Sequence, residues 1–285
     1  MLKQRIITAI WLIPLVFGAI FGLSTDYFSW ALIGVFLIAA KEWGQIIDKS
    51  CQMTQWSFTI TIGILLVALN VFVPSDELWF KDQLHPVYLS IILIGAMWWV
   101  FSFLLVISFP NSAKLWQKSH IFKSMFGQLT LIPCFTALVA LKGLSSESAP
   151  YYGGSLVFCV MLVVWATDSG AYFAGKALGR TKLMPNVSPA KTLEGLAGGL
   201  ATSMLVAFGI MQVSPEQELW LVVCVTLFVA LVSAVGDLSE SMFKRVAQIK
   251  DSGKVLPGHG GVLDRIDSLT AALPAFTLIY IAFWM

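Results

Sequence analysis

Apolar residues run along this chain in blocks of about 20, broken by short polar stretches. At about 1.5 Å per residue, one such block wound as a helix crosses a hydrocarbon core of about 30 Å. Blocks at 6–23, 28–47, 57–74, 87–108, 125–143, 155–175, 193–213, 219–238 and 264–284 predict nine spans. The second block departs from the pattern by carrying Lys41 and Glu42 in its last two turns. The expected fold is all-α, a polytopic integral membrane protein of about nine helices.

Composition agrees with the pattern. Of 285 residues, 58% are hydrophobic and 12% charged, against about 25% charged in soluble domains. A net charge of +2 gives no basis for a nucleic-acid partner. The placement of charge says more than its sum. Starting with the N-terminus inside, nine crossings put 16 of the 18 Lys and Arg residues on the inner side. Only Lys81 and Lys142 fall outside, where Asp26, Asp76, Glu77, Asp82, Glu147, Glu216 and Glu218 gather. Basic residues stay on the cytosolic side of membrane helices, so the N-terminus is expected in the cytosol and the C-terminus outside. The start, MLKQRI and an apolar run, has no cleavage pattern and reads as a retained first span. Cys51, Cys134, Cys159 and Cys224 show no CxxC or metal spacing and read as packing residues.

The two halves differ. Residues 1–150 form spans one to five with ordinary loops, expected to be scaffold and lipid access. Residues 151–285 hold spans six to nine with polar, glycine-rich segments at their cytosolic ends, where chemistry is expected. Asp168 lies in the last two turns of span six, and Tyr172 stands one turn on, on the same face. In the next loop, Lys182 is followed by Ser188, Pro189, Lys191 and Thr192. Ser-Pro is a helix-start pair, and a helix N-terminus beside Lys191 suits phosphate oxygens. Asp237 is expected to end span eight, level with Asp264 and Asp267 one turn apart at the start of span nine. Three converging carboxylates would repel unless a cation lay between them, and an oxygen-only ligand set favours Mg²⁺. Lys244, Arg245, Lys250, Lys254 and Arg265 nearby suit a substrate with several phosphates. His259, between glycines, is open to two readings, an acid–base group or a turn-bound hydrogen-bond donor. Gly258, Gly260 and Gly261 would let the backbone approach a ligand or take positive φ.

The stretch Ser241–Asp267 resembles the signature of the phosphatidate cytidylyltransferases (CDP-diacylglycerol synthases), S-x-x-K-R-x4-K-D-x5-P-x-H-G-G-x2-D-R-x-D. All twelve specified positions are filled, by Ser241, Lys244, Arg245, Lys250, Asp251, Pro257, His259, Gly260, Gly261, Asp264, Arg265 and Asp267. Asp168-Ser169-x-Ala171-Tyr172 and Ser188-Pro189-x-Lys191-Thr192 also resemble that family, with Ala190 where relatives often carry a basic residue. The resemblance covers about 167–268. It implies transfer of a cytidylyl group from CTP to phosphatidic acid, giving CDP-diacylglycerol and pyrophosphate in the bacterial inner membrane. It further implies catalysis by Asp237, Lys244, Arg245, His259, Asp264 and Asp267. Substrate would be held by Asp168, Tyr172, Lys182, Ser188, Lys191, Thr192, Lys250 and Arg265. Mg²⁺ would sit on Asp237, Asp264 and Asp267, with room for a second, monovalent cation such as K⁺. A homodimer is compatible with the sequence but nothing in it requires one.

Two other classes stand beside this reading. A CDP-alcohol phosphatidyltransferase would carry D-x2-D-G-x2-A-R-x8-G-x3-D-x3-D, which does not occur here. A cation-coupled transporter using Asp168 and Asp237 would place them near the midplane, commonly with repeat symmetry; the chain has no internal repeat.

Overall fold

In hydrocarbon every backbone N–H and C=O must be satisfied within the protein, which favours helices. The computed structural model describes residues 2–146, 148–213, 217–258 and 260–285. They form α1 (Leu2–Gly22), α2 (Thr25–Ile47), α3 (Gln52–Phe72), α4 (Pro86–Ile107), the short α5 (Ala113–Trp116), α6 (His120–Lys142), α7 (Tyr152–Leu178), α8 (Leu193–Val213), α9 (Leu219–Val246) and α10 (Leu263–Trp284). Among the described residues eight of these, α2 to α4 and α6 to α10, are long and apolar enough to cross a membrane, and α1 adds the apolar stretch Ile10–Gly22. The chain is a polytopic α-helical membrane protein. Two small hairpins interrupt the helices: β1 (Trp79–Phe80) pairs with β2 (Gln83–Leu84), and β3 (Lys182–Met184) with β4 (Ser188–Thr192), both antiparallel.

Local signals explain the helix starts. His85 and Ser119 accept the N–H of Val87 and Phe122 as caps, and Pro86 opens α4 where its missing N–H costs nothing. Hydroxyls inside the bundle bond back to their own helix, as Thr59 to Gln55 O, Thr130 to Phe126 O and Thr167 to Val163 O. Two buried lysines close helix ends: Lys123 Nζ donates to Ile46 O and Ile47 O of α2, and Lys142 Nζ to Ile20 O of α1.

Two expectations need correction. Ser188-Pro189 does not start a helix. It lies in β4, where Met184 pairs with Ser188 and Lys182 with Thr192, and α8 starts only at Leu193. Asp237 does not end its span, because α9 runs on to Val246. That continuation turns Lys244 back toward the bundle. Glu42, the anomaly of the second span, is 2% exposed inside α2.

Candidate active site

α7 and α8 pack backbone to backbone. A Cβ on Gly198 would overlap Cβ of Ala174, and one on Gly199 would stand 2.7 Å from Thr167 O. On Gly170 it would meet Thr202 Oγ1 and, at 2.7 Å, Gly198 O. α9 and α10 meet through Gly236, whose Cβ would lie 2.6 Å from Asp267 O. Where the two pairs of helices face each other, a cavity of about 590 Å³ opens. Asp168, Tyr172 and Lys176 of α7 and Lys191 and Thr192 of β4 form one wall. Asp237 and Lys244 of α9, Asp251 of the following loop, and Asp264, Arg265 and Asp267 of α10 form the other.

On α9, positions 237, 240, 241 and 244 fall on one face by helical spacing. Lys244 Nζ donates to Asp264 Oδ1 at 2.8 Å and to Glu240 Oε2 at 2.9 Å. Asp264 also accepts the N–H of Ser252, at 3.0 and 3.1 Å to its two oxygens, and of Gly261 at 2.8 Å. Across the cavity, Lys191 Nζ pairs with Asp237 Oδ2 at 2.5 Å. Asp267 Oδ1 accepts the N–H of Ser268 at 2.8 Å. Asp168 and Asp237 lie close enough to repel, as do Asp237 and Asp267, while Lys191 and Arg265 attract Asp168. The cavity is therefore a ring of alternating charge at one end of four membrane helices. Anionic groups entering it would exchange contacts with Lys191, Lys176 and Arg265.

The sequence matches the model of the cytidylyltransferase family over residues 3–283, nearly the whole chain. The chain belongs to the cytidylyltransferase family. It is 39% identical to the phosphatidate cytidylyltransferase of Haemophilus influenzae, over 98% of this chain and 99% of that one. It is 40% identical to that of Pseudomonas aeruginosa, over 100% of this chain and 99% of the other. The protein of the same name from Bacillus subtilis is 43% identical over 143 residues, 50% of this chain and 51% of that one.

The cavity gathers most of the residues singled out by their resemblance to this family. Asp168, Tyr172, Lys191, Thr192, Asp237, Lys244, Asp264, Arg265 and Asp267 all line it. Thr192 also caps α8, its Oγ1 accepting the N–H of Gly195 at 3.1 Å. Lys182, Ser188 and Lys250 are not among its walls. Arg245 points elsewhere too, its Nε donating to Val187 O at 3.0 Å and tying the β3–β4 hairpin to α9. His259 lies outside the described residues.

The three expected metal ligands, Asp237, Asp264 and Asp267, all line the cavity. Among the described residues no group of three or more His, Cys, Asp or Glu side chains is set to hold a metal ion. The two oxygens of Asp264 accept from Lys244, Ser252 and Gly261. The expected backbone approach of Gly261 is to protein rather than to ligand, since a Cβ there would lie 2.5 Å from Glu42 Oε2. Gly258 and Gly260 do take positive φ, 78° and 87°. Two residues escaped the sequence reading. Glu240 is 3% exposed and paired with Lys244; its i, i+4 spacing to that lysine was the available signal. Glu42 belongs to α2, and only its charge within an apolar span pointed to it.

Proposed function

We propose that the chain transfers the cytidylyl group of CTP to phosphatidic acid, releasing pyrophosphate and leaving CDP-diacylglycerol in the membrane. The observation that carries this is the alternating-charge cavity at the end of α7 to α10, in a chain whose full-length relatives bear the name phosphatidate cytidylyltransferase. A phosphate oxygen of the lipid attacks the α-phosphorus of CTP. The new P–O bond forms as the bond to the β-phosphate breaks, and the electron pair leaves with pyrophosphate. The lipid phosphate is already deprotonated, so no strong base is required; repulsion between two anions is the barrier. Lys191, at the β4–α8 junction, leaves Asp237 for a phosphate oxygen, and Arg265 and Lys176 hold others. Lys244 stays on Asp264 and Glu240, fixing the depth of α10 against α9.

Asp237 and Asp267, with Asp168 facing them, offer oxygen donors whose mutual repulsion a divalent cation relieves. Mg²⁺ bound there would neutralise the triphosphate and the leaving pyrophosphate. Asp264 joins that set only by giving up Lys244.

We further place the chain in the bacterial inner membrane with its N-terminus and the cavity mouth cytosolic, on the strength of the 16 basic residues of one side. Single cysteines in a cysteine-free background test this. One in the 145–152 loop should react with an impermeant reagent on intact cells and one at 250–255 should not. The reverse pattern overturns the orientation. For the reaction, purified protein in vesicles containing phosphatidic acid should make CDP-diacylglycerol and pyrophosphate in equal amounts from CTP. Untouched CTP overturns the proposal; CMP release from supplied CDP-diacylglycerol and an alcohol would favour a phosphatidyltransferase, and ion uptake a transporter.

A further inference from the structure

The helix that carries Asp264, Arg265 and Asp267 has no cap of its own. Its N-cap position is Val262, which offers no side-chain acceptor. The cap comes instead from α2, more than 200 residues earlier. Glu42 Oε2 accepts the N–H of Leu263 at 2.7 Å and Oε1 that of Val262 at 3.1 Å. Glu42 Oε2 also accepts from Ser252 Oγ at 3.3 Å, and the backbone N–H of that serine donates to both oxygens of Asp264. The loop closes tightly around this carboxylate. A Cβ on Gly253 would stand within 2.6 Å of Glu42 Cδ, and one on Gly261 within 2.6 Å of the same atom. Among the described residues no Lys or Arg forms an ion pair with Glu42, and the neighbouring Lys41 lies over the Trp56 ring at 4.0 Å.

A buried carboxylate is a costly cap, because its charge must be desolvated. A serine or asparagine at position 262 would cap α10 locally and without that cost. A carboxylate reaching across from another helix does what a local cap cannot: it fixes where the start of α10 sits relative to α2 and to the 247–262 loop. One carboxylate thus holds the N–H groups of the N-cap and the first residue of α10, and one hydroxyl of the loop that orients Asp264.

We propose that Glu42 is a positioning residue for the acidic wall of the cavity, setting the place of α10 and, through Ser252, the orientation of Asp264. The proposal rests on the reading of the cavity as a cytidylyl-transfer site. It draws the first half of the chain into catalysis without any contact with substrate.

The test compares full-length Glu42→Gln, Glu42→Asp, Ser252→Ala and, as a structural control, Lys123→Met, which removes the buried tie between α6 and α2. Displacing reacting groups by about 1 Å costs up to 10²-fold. Glu42→Gln should therefore lower kcat on the order of tenfold to a hundredfold while the KM values for CTP and lipid stay within about threefold. Ser252→Ala should do the same more weakly, and Glu42→Asp, which keeps the charge, should recover part of the loss. Amide hydrogen exchange should quicken at 250–263 in Glu42→Gln and not at 125–140. Lys123→Met should lower thermal stability and leave kcat per folded molecule unchanged. If Glu42→Gln behaves like Lys123→Met, Glu42 is a structural cap; if exchange at 250–263 is unaltered, it does not hold that segment; either outcome overturns the proposal. Should Glu42→Gln fail to fold, Ser252→Ala decides by the same kinetic split. If the unsubstituted protein makes no CDP-diacylglycerol, the reaction assignment fails separately, and the exchange experiment still reports on the position of α10.

Discussion

Two sides of the bundle are packed by opposite means. Around α9 on the side of α2, α4 and α6, large rings interlock: Trp98 on Phe126 at 4.8 Å, Trp43 and Trp116 each 5.2 Å from Phe243, and Phe126 5.7 Å from Phe243. On the other side α7 meets α8 through Gly170, Gly195, Gly198 and Gly199, whose nearest neighbours are backbone atoms and the side chains of Ala and Thr. Rings fill space and hold α9 by volume. Glycines bring two helices to backbone distance, as small residues do in membranes generally, and leave long side chains only at the flank of the seam. The cavity lies at that flank. Its polar groups thus have a wall on α9 and α10, backed at α9 by the rings and called the stiff wall, and a wall on α7 and α8 built on the glycine seam, called the thin wall. Phe243 and Lys244 make the division visible in adjacent residues, one in the ring cluster and the next in the charge ring.

The largest expected effect comes from emptying the stiff wall of charge. Asp237→Asn and Asp267→Asn should each lower turnover by about 10²- to 10³-fold, the scale of losing one preorganised electrostatic contact. The double variant should lose little more, because residues acting as a unit are not additive. Both proteins should insert and purify normally. Mg²⁺-dependent turnover of the three variants is the measurement; near-normal rates in both single variants would detach the cavity from the chemistry.

The second experiment sets seam against rings. Gly198→Val would force α7 and α8 apart, since even a Cβ overlaps Ala174. Overpacking costs about 1–3 kcal/mol of stability, and separation should also move Lys191 and Thr192, raising the KM for CTP. Phe126→Ala should cost more stability, about 3–5 kcal/mol, yet leave the KM of the folded fraction unchanged. Thermal inactivation and steady-state kinetics on the same preparations separate the two. Equal KM shifts in both variants would mean that the rings, too, shape the cavity.

The sequence made the spans legible because hydrophobic length is imposed by the bilayer rather than by partners. It made most of the charge ring legible because charge beside apolar spans is expensive and collects where it is used. What escaped depends on partners far along the chain. Ser188-Pro189 carries a helix-start signal, yet Pro189 sits equally well in a two-stranded hairpin, which needs few ladder bonds. Arg245 looked like a substrate contact, and nothing local shows that Val187 O awaits it. Asp264 shares a first turn with Asp267, so spacing alone made them equivalent; only the fold reveals that Lys244 and two loop N–H groups occupy the first of them. Glu42 stood out as an anomaly, and its partners are 210 to 221 positions away.

The smallest effects should distinguish two basic residues on opposite sides of the hairpin. Lys191 lines the cavity and Arg245 does not, though the sequence treats both as candidate phosphate ligands. Lys191→Ala removes one charge-assisted contact, worth about 1.5–3 kcal/mol, and should raise the KM for CTP by about 10- to 150-fold, far more than that for lipid. It also leaves Asp237 without its pair, so part of the effect should return in Lys191→Arg, which keeps the charge. Arg245→Ala loses one hydrogen bond to Val187 O, worth about 0.5–1.5 kcal/mol. Its consequence should be a looser β3–β4 hairpin, seen as faster exchange at 182–192 with a KM change of only a few fold. Because the hairpin delivers Lys191, the two substitutions are coupled: adding Arg245→Ala to Lys191→Ala should change the KM for CTP no further. A lipid KM that moves while the CTP KM stays fixed in Lys191→Ala would assign the thin wall to the lipid. An independent, additive loss from Arg245→Ala would return that arginine to the substrate site.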